Sequence, residues 1–243
     1  MRPTGPCALC NNVAPLCESH IIPEFLFKTL YDDKHRFHQL SISDYRSRLL
    51  QKGMREYLLC EGCEGKFSRW ETYARSVIVR GAELRYTREG KITWVSGIEY
   101  EPFKLFEMSI LWRAGVATVD FFRNVRLGPH EERLRKMLLA GEPGPPWRYG
   151  CMIAGTRIDG RPSTGMMIEP TPIRLDGLAG VRFIFGGFTW GFLVSSHRPV
   201  FPSAGVIFLQ RDGRLPIIVG DLEDAPFFQE MMARGARARA GVS

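Results

Sequence analysis

Two short cysteine spacings, Cys7-Ala8-Leu9-Cys10 and Cys60-Glu61-Gly62-Cys63, stand in this chain with 49 residues between them. A two-residue gap lets one tight turn aim both thiolates at a single ion, and two such turns complete a tetrahedron. Cys7, Cys10, Cys60 and Cys63 are therefore expected to hold one structural Zn2+. The separation exceeds that of a compact zinc ribbon, so the intervening segment must itself fold. Neither pair has a thioredoxin-like setting, and Cys17 and Cys151, outside the pattern, read as small buried hydrophobes.

The N-terminal residues Met1 to Pro6 run straight into the first pair without the apolar core of a secretory signal. A reducing, cytoplasmic setting is expected, in which the six thiols stay out of disulfides. With 44% hydrophobic and 24% charged residues, the composition is that of a folded globular protein. A net charge of +7 favours acidic partners, nucleic acid first among them. Between Lys28 and Lys91 the basic residues alternate with Asp32, Asp33, Asp44, Glu56, Glu61, Glu64 and Glu71, which leaves no unbroken basic stripe. The most apolar run, Phe103 to Val125, is interrupted by Lys104, Glu107, Arg113, Asp120 and Arg123; it reads as a buried helix and not a membrane span.

Beyond Cys63, the residues Phe67, Trp70, Ala74 and Val77 fall at helical spacing and give one apolar face. A helix that begins at the second cysteine pair places two ligands at its N-terminus, where the helix dipole favours thiolates; this is the layout of a treble-clef zinc module. Residues 84–100 predict a hairpin turning at Glu89-Gly90, linking two parts. Pro102 suits the first turn of a core helix reaching about Val125, and Pro129-His130-Glu131-Glu132 opens a second, amphipathic helix ending near Gly141. From Tyr149 to Gly220, runs at Val181–Phe185, Thr189–Val194, Val206–Leu209 and Ile217–Val219 predict a mainly antiparallel sheet. The tail 234–240 is basic and rich in small residues, which predicts fraying with optional phosphate contacts. The expected fold class is α+β: a zinc module over 1–82, then 83–243 with two helices at about 102–141 and strands at about 149–220. No nucleophile, phosphate loop or carboxylate pair stands out in 83–243.

Between the cysteine pairs lies Glu18-Ser19-His20-Ile21-Ile22-Pro23, a strand-end signal in which a histidine precedes two β-branched residues and a proline. Together with Cys7-x2-Cys10 upstream and Leu58-Leu59-Cys60-x2-Cys63 before a helix, this layout resembles the HNH (ββα-metal) endonuclease family over roughly residues 5 to 80. The resemblance implies that His20 deprotonates water for attack on a phosphodiester of DNA, that Mg2+ or Mn2+ stabilises the developing charge, and that the zinc stands apart as a scaffold. Family members carry an acidic residue before the histidine, where this chain has Ser19. They carry an asparagine before the second cysteine pair, where it reads Met54-Arg55-Glu56-Tyr57, and His or Asn on the following helix, where it has Glu64 and Ser68. The implied catalytic set is His20 with Glu64 and Glu56, helped by Glu18 or Glu71, with Arg55 or Lys66 on phosphate. The resemblance also implies a place in antiphage defence or mobile elements. The alternative is a catalytically silent zinc module that binds nucleic acid or a protein partner. His35, His38, His130 and His197 belong to no motif.

Overall fold

Two antiparallel pairings build the N-terminal module. Strand β1 (Thr4–Pro6) turns through the first cysteine pair into β2 (Val13–His20), and β2 pairs in turn with β5 (Arg55–Cys60), in the register Leu16↔Cys60 to His20↔Arg55. Helix α2 (Glu61–Arg75) follows β5 without a loop and buries Cys63, Phe67, Trp70 and Ala74, the apolar face that the spacing predicts. The structure, a computed structural model, describes residues 2–233 except 29, 42–46, 81, 176, 201–205, 227 and 231. The basic tail 234–240 lies outside the described residues.

The segment between the cysteine pairs folds, as the long gap requires. After the short helix α1 (Glu24–Phe27), strands β3 (Phe37–Leu40) and β4 (Ser47–Leu50) leave the module and join the large sheet, β3 running parallel to β10 (Met166–Leu175). That sheet has the order β4-β3-β10-β11-β12-β8-β13-β7-β6. Its remaining strands are β6 (Arg85–Glu89), β7 (Ile92–Ser96), β8 (Cys151–Ile158), β11 (Leu178–Phe185), β12 (Phe188–Leu193) and β13 (Leu215–Asp221), with β9 (Arg161–Pro162) appended to β8. The sheet is mixed, since β13 also runs parallel to β8. The expected hairpin forms at Gly90 (φ 60°), and it is the rim of this sheet. Val206 to Leu209, expected as a strand, are irregular: Phe208 and Leu209 are buried, so their apolarity serves core packing and not a ladder.

Helix α3 (Tyr100–Val116) lies against the inner face of the sheet and is buried continuously from Phe103 to Ala114, with Phe106 edge-on to Trp190 at 6.3 Å. It ends nine residues short of the expected Val125. Two contacts explain the stop. Glu56 Oε1 accepts the backbone N–H groups of Thr118 and Val119 at 2.7 Å each, holding that segment out of helix. The returning chain then packs Leu127 onto Gly115, where an added Cβ would fall 2.2 Å from Leu127 Cδ1. Among the described residues no helix is long and apolar enough to cross a membrane. Helix α4 (His130–Ala140) matches its expected bounds and is closed by Gly141 at φ 74°, the left-handed cap position that glycine adopts without strain.

Candidate functional site

The first cysteine pair sits in a knuckle. Cys7 N–H bonds the Asn12 carbonyl at 2.9 Å and Asn11 N–H returns to the Cys7 carbonyl at 2.8 Å, with Asn11 left-handed at φ 65°. Ala8 N–H reaches the Leu58 carbonyl on β5 at 3.0 Å, which pins the knuckle over the second pair. There Cys60 is the N-cap of α2 and Cys63 lies in its first turn. The four sulfurs lie within 4.8 Å of one another, and Cys10 Sγ is 3.8 Å from Cys60 Sγ. This brings all four predicted ligands together, close enough to hold one metal ion. It is the only group of three or more candidate ligands among the described residues.

Electrostatics at the cluster follow from crowding. Burial raises the Cys7 thiol, but N–H groups around the knuckle outweigh it and bring it down to about 7. Burial and the neighbouring thiols push Cys63 well up. A cation at the centre replaces this competition with four favourable S–metal contacts. Helix α4 braces the knuckle from outside, the Arg135 guanidinium donating to the Leu9 carbonyl and the Lys66 ammonium on α2 to the Leu139 carbonyl. Lys66 is thereby engaged in packing α2 against α4.

A bulge between Cys17 and Glu18 decides what the end of β2 presents. Strict alternation from buried Leu16 would turn Glu18 inward. The extra residue re-aims the strand so that Ser19, fully buried, joins Leu16 on the inner face. There Ser19 Oγ donates to Glu64 Oε2 on the first turn of α2 at 2.6 Å. His20, half-buried, has its Nε2 2.6 Å from Glu24 Oε2, a contact not aligned as a hydrogen bond. Burial, then the Arg55 guanidinium, lowers the His20 pKa below the ordinary histidine value, with Glu24 opposing. Arg55 lies 3.5 Å from Glu24 and 3.8 Å from Glu18.

The sequence-predicted residues thus divide into three groups. Ser19 meets Glu64; His20 meets Glu24 and Arg55; Glu56 is drawn to the amides after α3. Two contributors lie outside the predicted set. Glu24 stands four residues after His20, a spacing that brings side chains together only because α1 begins at once after Pro23. Arg113, buried on α3, donates to the His20 carbonyl at 2.7 Å and pairs with Glu71 at 2.7 Å, fixing the end of β2 against the main core. In sequence it is one of several charges in an apolar run, and no local signal separates it from the others. Cys17 is half-buried near Arg2, and Cys151 is buried. His35 stacks on Tyr31, His38 contacts Ser47, and His130 meets the Tyr149 hydroxyl.

No family model matches the chain, and neither a curated protein nor a solved structure matches it.

Proposed function

We propose that this chain is an HNH-like, metal-dependent endonuclease that hydrolyses phosphodiester bonds of DNA, scaffolded by one structural Zn2+ on Cys7, Cys10, Cys60 and Cys63. The observation that carries the reading is the Ser19-His20 step at the end of β2. It sets a hydroxyl against the Glu64 carboxylate and, one residue on, an imidazole against the Glu24 carboxylate. The donors fit a loosely held Mg2+ or Mn2+: Glu64 supplies one hard oxygen, and ions of this kind are commonly bound through one or two carboxylates plus substrate phosphate. When bound, that ion would stabilise negative charge on the scissile phosphate.

His20 is the general base. Its lowered pKa keeps it neutral at neutral pH, the state able to accept a proton from water. Arg113 fixes the backbone that carries the ring. Arg55, opposite His20 in the register, is the nearest exposed cation for the phosphate.

A second reading, a silent zinc module that binds nucleic acid or a protein, is favoured by one observation: Glu56 is committed to the amides of Thr118 and Val119 and unavailable to orient His20. A plasmid-nicking assay with Mg2+, Mn2+ or EDTA separates the two. Nicking that needs both the divalent ion and His20 supports the nuclease. Nicking unchanged in His20→Ala, or none by the zinc-loaded wild type, refutes it.

A further inference from the structure

Positive charge is concentrated outside the cysteine cluster. Residues 65–98 contain seven basic and three acidic residues, a surplus of four out of the chain's net +7. Much of it lies on the β6–β7 ribbon, where every residue of β6 is exposed, as is Lys91 at the turn. Several arginines elsewhere are matched with carboxylates, as in Arg36 with Asp32, Arg135 with Glu132 and Arg157 with Asp221, while exposed Arg69, Arg75 and Arg161 make no such pair among the described residues. The ribbon sets three unmatched cations within seven residues. Among the described residues the only side-chain bond made by Arg85, Arg88 or Lys91 runs from Arg88 Nε to the Gly90 carbonyl at 3.2 Å.

Of the ribbon's two aromatic residues, Trp94 is occupied and Tyr86 is exposed. Trp94 donates its indole N–H to Glu89 at 3.0 Å, and the Arg214 guanidinium lies 5.9 Å from its ring centroid. Tyr86 helps line an apolar cavity of about 250 Å³ with Val95, Leu215 and Ile217. Single-stranded nucleic acid is bound by stacking successive bases on aromatic faces, and the ribbon offers one exposed tyrosine and not a row of such faces. A duplex is held by cations and backbone N–H groups on its phosphates, and a two-stranded ribbon fits its major groove. The ribbon supplies both: three cations unmatched among the described residues, and on β6 an outer edge that no described strand pairs.

We propose that the β6–β7 ribbon is a contact surface for duplex DNA, with Arg85, Arg88 and Lys91 on its phosphates. The proposal rests on the reading that the chain acts on DNA, and it assigns a contact separate from the zinc module. Helix α2, fifteen residues and about 22 Å long, lies in the chain between the second cysteine pair and the ribbon.

The test measures binding of the full chain to a fluorescent 24-base-pair duplex by anisotropy across a salt series. It compares wild type, the triple variant Arg85→Gln/Arg88→Gln/Lys91→Gln, and a control, Lys28→Gln/Lys34→Gln/Lys52→Gln, which removes the same charge from other exposed sites. The ribbon variant is expected to lose roughly tenfold or more in affinity at low salt and to flatten the log–log salt slope by about 2 to 3, with the control close to wild type. Equal losses in the two triple variants, or a single strand bound more tightly than the duplex, would overturn the proposal. So would wild-type protein that does not bind duplex. Ribbon-dependent binding without nicking would uphold the surface while refuting the nuclease; nicking with ribbon-independent binding would do the reverse.

Discussion

Ser19 Oγ and Glu64 Oε2, 45 residues apart in sequence, meet at 2.6 Å and tie the end of β2 to the first turn of α2. Under the proposed nuclease reading, the bond occupies the positions that would flank the catalytic ion. Removing the hydroxyl with Ser19→Ala leaves a half-exposed carboxylate short of one donor and is expected to cost about 1.5 kcal/mol in urea unfolding. Ser19→Asp sets two carboxylates together. Without divalent ion it should destabilise more than Ser19→Ala; with Mn2+ it should recover and nick faster than wild type. An aspartate variant indifferent to Mn2+ would argue that no ion visits this corner.

The cysteine cluster predicts one zinc per chain by elemental analysis. Because the knuckle holds few bonds of its own beyond Asn12, Asn11 and Leu58, Cys10→Ser or Cys60→Ser should release the ion. Chelation of wild type should lower the melting temperature and expose Leu9, Leu59 and Phe67, which pack in one core with the cysteines. A double Cys60→Ser/Cys63→Ser protein that retained stoichiometric zinc would contradict the site.

The lowered pKa of His20 has consequences of known sign. Below pH 6.5 an unfolded chain takes up a proton here that the folded chain resists. Stability from this residue is therefore present above pH 6.5 and is lost as pH falls through the lower folded value. The slope of melting temperature against pH on the acid side of 6.5 should shrink in His20→Gln. The nicking rate should rise with a midpoint below 6.5, where a base titrating at the ordinary value would place it at 6.5. A midpoint above that value would exclude His20 as the base.

The parts of the site legible in sequence are those fixed by short spacings: the two cysteine turns, the helix that starts at Cys60, the hairpin at Gly90 and the cap at Gly141. What sequence could not supply depends on long-range geometry. The bulge at Cys17/Glu18 exchanges Glu18 for Ser19 on the inner face, and alternation alone predicts the opposite. Glu56 reads as a partner for His20, but the chain leaving α3 brings two amides to it first. Strands β3 and β4 pair into a sheet whose other strands lie beyond residue 84, a parallel contact with no local signature.

Lys104 and Glu107, one helical turn apart on α3, are both fully buried, with Lys104 Nζ donating to the Tyr149 carbonyl at 2.7 Å and only 3.7 Å from Glu107 Oε2. Burial raises the Glu107 pKa to about 7, with Lys104 opposing, and burial lowers that of Lys104. Between 4.5, the ordinary value, and about 7 the folded chain holds a proton on Glu107 that the unfolded chain has released. Its stabilising contribution is thus full below pH 4.5 and lost as pH rises through about 7, the opposite sense to His20. Urea unfolding at several pH values should show this fall in wild type and not in Glu107→Gln. Lys104→Met alone, which strands a buried acid, is expected to cost about 3–5 kcal/mol near pH 8, whereas Lys104→Met/Glu107→Leu should return to wild-type stability or exceed it by about 1–4 kcal/mol. A double variant as unstable as the single one would mean that the lysine matters for its bond to Tyr149 and not for neutralising Glu107.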